Sequence, residues 1–207
     1  MEIERVVAYE MNQNCFIVCQ APDKGCIVVD PGCEVKRILE KAAQIGAKIQ
    51  YIFLTHCHYD HIAGLAELRE ATGAKVCASV ECNLNIQNPK TNVSYGFGSP
   101  MTEDPCEVIL EDGQTIEVCG MEIQCIATPG HTNGGMCYFV DGHLFSGDTL
   151  FLRDVGRWDL PTGDEDTLVA SIRHKLYTLP AETIVHCGHG NDTQIGYEQK
   201  FNLYVKA

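Results

Sequence analysis

The stretch THCHYDHIAG, Thr55–Gly64, puts His56, His58, Asp60 and His61 within six residues, directly after the apolar run Ile49–Leu54. At the extended end of a strand, alternate residues share a face. His56 and His58 are then expected to point the same way, with Cys57 turned aside. Asp60 and His61 fall where a helix begins. A helix N-terminus favours negative charge and disfavours imidazolium. That keeps His61 neutral, as a metal ligand must be. Imidazoles beside a carboxylate suit zinc or iron.

Three further polar islands each follow an apolar run. TPGHTNGG presents His131 after a strand ending at Ala127. LFSGDTLF presents Asp148. VHCGHGNDT presents His186 and His189, and Gly188 and Gly190 let the backbone approach a shared centre closely. Taken singly, His131 reads as a structural histidine bonded to backbone, and Asp148 as a helix cap. Taken together, the islands offer five imidazoles and two carboxylates to one site. Zinc usually takes four ligands. Seven are too many for one tetrahedral ion and suit two, with a carboxylate between them. Two metals roughly 3.5–4 Å apart form a hydrolytic clamp.

Elements must bring these islands together. Val6–Tyr9, Cys15–Cys19 and Cys26–Asp30 read as short strands separated by turn residues. Val35, Ile38, Leu39, Ala42 and Ala43 recur at helical spacing up to Gly46. Ile49–Leu54 fits a buried strand, and a helix follows the motif up to Gly73. The stretch 81–104 is rich in Asn, Pro, Gly and Ser and reads as a long loop with one helical turn. Strands are expected at Glu107–Leu110, Thr115–Val118, Met121–Ala127, Gly135–Val140, His143–Ser146 and Ile184–His186. Helices are expected from Asp164 to Leu179 and after Thr193. Strands and a helix thus occur twice over, which suits two sheets packed between helices.

The 207 residues fit one compact domain, 1–207. The net charge of −13 disfavours nucleic acid and anionic membrane surfaces as partners. A small anionic substrate stays compatible, because a local metal can dominate the potential in a cleft. No apolar run approaches a membrane span. The N-terminus MEIERVVAYEMNQN lacks the basic start and long apolar stretch of a secretory signal, so a cytoplasmic protein is expected. Twelve cysteines without a CxxC, many in apolar strands, read as free core thiols of a reducing compartment.

THCHYDH, TPGHT, SGDTLF and CGHG, in this order and with VVDPG near the N-terminus, resemble the metallo-β-lactamase superfamily. The stretch SGDTLFLRDVGRWDLPTG is similar to the glyoxalase II-like branch. The resemblance covers nearly the whole chain. It implies an α/β fold, a four-layer αββα sandwich of two mixed sheets flanked by helices. It implies that His56, His58 and His131 hold one divalent metal and that Asp60, His61 and His189 hold the other. Asp148 bridges them. His189 rather than His186 is the implied ligand, because the family's last histidine sits in a Pro-Gly-His-Gly type turn. Cys187 stands where the family often has proline and is expected to be a bystander.

The implied reaction is hydrolysis of a thioester, S-2-hydroxyacylglutathione or similar, by a hydroxide bridging two ions. Zinc is the expected metal, with iron or manganese as the other ions this donor set admits. Asp60 and Asp148 would orient the nucleophile as the catalytic pair. Arg153 and Arg157 are candidate substrate contacts, since arginine forks a carboxylate; a loop salt bridge to Asp154 or Asp159 is the alternative. Asp30 reads as a supporting or turn residue, and His143 and His174 as structural or exposed. One last helix is expected after CGHG, without the C-terminal helical extension of full-length glyoxalase II. Expected partners are a small anionic thioester and at most a second copy, as a monomer or homodimer. The alternative on the same fold is a mononuclear-iron persulfide dioxygenase. The strings GRWDLPTG and CGHGND favour the hydrolase over that pattern.

Overall fold

The computed structural model describes residues 1–206. Two six-stranded sheets carry the chain. The first holds β1 (Glu2–Val7), β2 (Asn14–Ala21), β3 (Gly25–Val29), β4 (Ile49–Phe53), β5 (Lys75–Ser79) and β6 (Val108–Leu110), in that order. The β1–β2–β3 part is antiparallel and the β3–β4–β5–β6 part is parallel. The second sheet holds β7 (Thr115–Val118), β8 (Met121–Ala127), β9 (Met136–Val140), β10 (His143–Gly147), β13 (Ile184–Cys187) and β14 (Thr193–Gln194). Its single parallel pair is β10–β13. A small hairpin, β11 (Leu150–Phe151) and β12 (Asp154–Val155), follows β10.

Alternation along the strands builds the layers. Side chains at even and odd positions face opposite ways. Ile17, Val28 and Ile52 pack in one core with Val35 and Ile38 of α1 (Val35–Ile45) and Leu65 and Leu68 of α3 (Leu65–Thr72). Their neighbours Phe16, Ile27 and Phe53 pack in a second core with Ile123, Tyr138 and Phe145 of the other sheet. Cys137, Leu144 and Val185 form a third core with Leu168 and Ile172 of α5 (Glu165–His174) and Ile195 of α6 (Ile195–Phe201). Three cores between four layers give the αββα sandwich. Strand β3 reads GCIVV and is buried at all five positions, as a strand covered on both faces must be.

Several local expectations change. β1 covers Glu2–Val7 rather than Val6–Tyr9, because Met11 and Asn12 adopt positive φ in the turn that follows. The helix after the motif is split into α2 (Tyr59–Ile62) and α3 around Gly64. Gly64 lies so close to Pro31 and Cys33 that a Cβ there would stand 2.8 Å from both carbonyl oxygens. The stretch 81–104 carries α4 (Val80–Asn85) and a 3-10 turn at Ser94–Phe97. The last long helix stops at His174, and only a 3-10 turn at Leu176–Thr178 continues it. There Lys175 caps the helix, and its Nζ donates to the Ala127 carbonyl and to Asp112. All twelve cysteines are free. No helix among the described residues is long and apolar enough to cross a membrane.

Candidate metal centre

The four islands meet at one end of the two sheets. β4 delivers Thr55–His58, and α2 adds Asp60 and His61. The turn after β8 delivers His131, β10 leads to Asp148, and β13 leads to His189. The Tyr138 hydroxyl on β9 donates to the Leu54 carbonyl at 2.6 Å and ties the second sheet to the motif's first turn.

Two trios of donor atoms result. The nitrogens of His56, His58 and His131 lie within 4.8 Å of one another, as do the donors of Asp60, His61 and His189. Asp148 sits between them. Its carboxylate oxygens stand 3.3 Å from His61 Nε2, 3.6 Å from His189 Nε2 and 3.7 Å from His131 Nε2. Asp60 Oδ2 accepts from His189 Nε2 at 3.1 Å. His186 is not in the cluster. It stacks on Phe145 and joins His143 and Asp192 in a separate chain of hydrogen bonds that ends at Arg5.

The donors fit metal ions on their own evidence. His56 Nε2, His58 Nε2, His131 Nε2 and Asp148 Oδ1 are buried without a hydrogen-bond partner. Orphaned polar atoms are costly in a protein interior. Four of them converging on one space mark a place for cations.

On His56, His61 and His131 the opposite ring nitrogen is held by another group, which fixes the ligand tautomer. His61 Nδ1 donates to Asp30 Oδ2 at 2.8 Å, and His131 Nδ1 to the Arg157 carbonyl at 2.6 Å. His56 Nδ1 meets Thr55 Oγ1 at 3.0 Å, and that hydroxyl donates to Asp30 Oδ2 at 2.6 Å. The Thr55 N–H donates to Asp30 Oδ1 at 2.7 Å. Asp30, at φ +51° and 2% exposed, is thus the support of two histidines. Asp30, His56 and His61 also lie within ligand reach of one another. Because Asp30 is already saturated by three donors, we read it as a support rather than a ligand. Thr55, Gln13 and Asn14 carry no obvious signal in the sequence. Gln13 donates to the Asp30 carbonyl, and Asn14 to the carbonyls of Cys187 and Gly190 on either side of His189. A polar pair opening an apolar strand, in NQNC, is their only trace.

Close approach explains Gly188. A Cβ there would overlap Asp148 Oδ1 and stand 2.8 Å from His61 Cε1. Gly188→Ala is expected to lower metal-dependent turnover on the order of 100-fold, as a misplacement of about 1 Å can. Metal content and turnover of the purified variant check this.

Protonation divides the trios. Burial holds His56, His58 and His131 below the usual imidazole range, His58 down to about 3. Burial also opposes a charged His61, but Asp148, Asp60 and Asp30 outweigh it and raise its pKa, against the neutral form expected from its place at a helix N-terminus. Burial opposes a charged His189 too, and the Asp60 bond and Asp148 raise it. Metal binding needs neutral imidazole. The lowered imidazoles of the first trio favour the neutral form that a metal needs, whereas the raised His61 and His189 favour the proton that a metal must displace. As pH falls, the Asp60 side is expected to lose metal first. Calorimetry in buffers of different ionisation enthalpy should show little proton release with one equivalent of metal and clear release with the other.

Burial raises the Cys57 and Cys187 thiols to about 12, so neither is a ready nucleophile. Arg153 is exposed at φ +60°, with its N–H on Glu198. The Arg157 side chain forks Asp159 at 2.7 and 2.8 Å while its carbonyl holds His131.

A four-layer αββα sandwich with this histidine–aspartate cluster at its edge defines a metallohydrolase-type chain. It belongs to the metallo-β-lactamase superfamily, whose profile matches residues 8–189. The hydroxyacylglutathione hydrolase GloC of Haemophilus influenzae is 29% identical over 211 residues, covering 100% of this chain and 99% of its own. The crystal structure of BLEG-1, a B3 metallo-β-lactamase, is 28% identical with a TM-score of 0.93 and covers 100% of both chains. TTHA1623, solved in a di-iron-bound form, is 31% identical with a TM-score of 0.85, covering 98% of this chain and 100% of its own.

Proposed function

We propose that this chain is a two-metal hydrolase that cleaves thioesters, of the S-2-hydroxyacylglutathione type. The observation that carries the reading is the donor set itself: Asp148 stands between two complete trios, with buried orphan atoms facing it. One tetrahedral ion could not use seven donors. GloC supports the substrate class. It is matched over 99% of its own length, so the likeness is not confined to one part of that protein.

His56, His58 and His131 would hold one ion, Asp60, His61 and His189 the other, and Asp148 both. Zinc is our choice for the ion, given the nitrogen-rich donors; the di-iron form of TTHA1623 makes iron the first substitute to load. When bound, such ions polarise a carbonyl and make water nucleophilic near neutral pH. The protein's part is placement. Asp30 and the Arg157 carbonyl keep the Nδ1 protons of His61 and His131 in place, which turns each Nε2 lone pair inward. Asp60 is opposed by burial, but His61 and the His189 bond keep its carboxylate ionised. Asp60 and Asp148 would orient the water, whose proton ends on the departing thiolate. Water and thioester thus yield acid and thiol, with no serine or cysteine acylated. All seven donors come from one chain, so a monomer suffices, and a homodimer would add copies of the same site. Free thiols fit our placement in the cytoplasm.

The likeness to BLEG-1 favours a β-lactam as the second substrate class to test. The experiment is turnover by zinc-loaded protein on S-D-lactoylglutathione, on simpler thioesters and on a β-lactam, with thiol release followed directly. Chelator-sensitive thiol release supports the reading. Opening of the β-lactam with no thioester cleaved would replace it. Sulfite formation from a persulfide by the iron-loaded protein, again without thioester cleavage, would favour the dioxygenase.

A further inference from the structure

His189 is the donor least held by its own ring. On His56, His61 and His131 a second group fixes Nδ1. His58 has no such partner among the described residues, but it is buried, with the His56 and His131 rings 4.8 and 4.6 Å away. The His189 ring is 27% exposed, and its hydrogen bonds run from Nε2 alone, toward Asp60 and His61. Its direction must therefore come from its backbone. That backbone cannot hold itself. His189 stands between Gly188 and Gly190, and glycine gives up the most conformational freedom when fixed. Gly190 sits at φ +74°, and the turn leads only to the two-residue edge strand β14.

The hold comes from the other sheet. Asn14, 2% exposed, opens β2 opposite Val7 of β1. Its N–H donates to the Gly188 carbonyl at 2.7 Å. Its Nδ2 donates to the Cys187 carbonyl at 2.9 Å and to the Gly190 carbonyl at 3.0 Å. One residue thus grips three carbonyls around His189, and the preceding Gln13 pairs with His189 in an isolated bridge. Arg5 Nη1 also reaches the Gly190 carbonyl, at 3.4 Å. The side chain must be an amide of this length. Asp offers no donor and Ser only one, whereas the Asn amide offers two without charge.

The grip is one-sided. Its bonds reach the trio of Asp60, His61 and His189 through the His189 turn. In the other trio, His56 is held by Thr55 and His131 by the Arg157 carbonyl. We propose that Asn14 is the positioning residue of His189, and that it sets the affinity of the Asp60-side ion while leaving the other ion alone. The inference rests on the two-metal reading above, whatever substrate the centre cleaves.

Zinc is titrated into the metal-free full chain against a chelator of known affinity, which gives two stepwise constants for the wild type. Asp60→Asn keeps the histidine trio and shows which constant belongs to it. In Asn14→Ala the other constant should weaken at least about tenfold, the scale for losing a group that supports a ligand, with the trio's constant unchanged. A residue that serves folding alone would move both constants or neither, and either result would overturn the proposal. Asn14→Ser, with one donor, is read the same way if the alanine variant does not fold. A further measurement needs no variant. In the metal-free wild type, the Asn14 side-chain amide protons should exchange with water far more slowly than those of the exposed Asn12. Equal exchange would overturn the proposal. A single zinc constant in the wild type would remove the two-metal reading and the proposal with it. Two constants that weaken alike in the variant would remove the proposal and keep the reading.

Discussion

Asp148→Asn is expected to reduce turnover at least about 100-fold and to lower metal content with it. Loss of an outer partner of a ligand already costs about 10–100-fold, and Asp148 lies inside that ring. Its oxygens face three imidazoles from three different elements at 3.3–3.7 Å. Burial opposes its charge, yet His61, then His131 and His189, hold its carboxyl well below the usual range. Asn has the same shape and no charge. One of its ends is an NH₂ group, which has no lone pair to give a cation. The variant should fold, since Asp148 belongs to none of the three cores. Elemental analysis and steady-state kinetics on one sample check the prediction. Normal turnover with full metal would remove Asp148 from the bridging position.

Asp30→Asn is expected to act at a distance of one hydrogen bond, with the second largest effect. Both Asp30 oxygens accept: Oδ1 from the Thr55 N–H, Oδ2 from Thr55 Oγ1 and His61 Nδ1. An amide can satisfy only one of these sides. If its oxygen stays on the Thr55 N–H, its NH₂ confronts His61. That ring must then shift its proton to Nε2, the atom meant for the metal. Metal affinity on the Asp60 side should fall about 10- to 100-fold. The metal-free protein should lose about 2 kcal/mol, the scale of one hydrogen bond to a charged group. Asn tolerates the φ of +51° at this position, so backbone strain does not confound the result. Competition with a chelator of known affinity and thermal unfolding read the two effects separately. Unchanged metal affinity would make Asp30 a folding residue alone.

These two residues differ in how visible they were. Asp148 stands out because an isolated carboxylate ends an apolar strand, and His56, His58, Asp60 and His61 stand out because four such groups crowd one turn. Apolar runs bracket every island, and that contrast reveals both the layers and the donors. Asp30 could be noticed but not placed, since its partners Thr55 and His61 are 25 and 31 positions away. Gln13 and Asn14 act only through backbone carbonyls, which leave no mark in a sequence. The strand Lys75–Ser79 escaped notice. Five residues after a helix-ending Gly73 carry too little alternation, and its register is set by β4 and β6 on either side. The two-residue strands β11, β12 and β14 exist only through their partners.

The most direct test of the two-metal account counts ions. Elemental analysis of active protein should give two per chain for the wild type. For Asp60→Asn it should give close to one, held by His56, His58 and His131, with turnover falling in step. A single ion per chain in fully active wild-type protein would contradict the account, whatever substrate that protein cleaved.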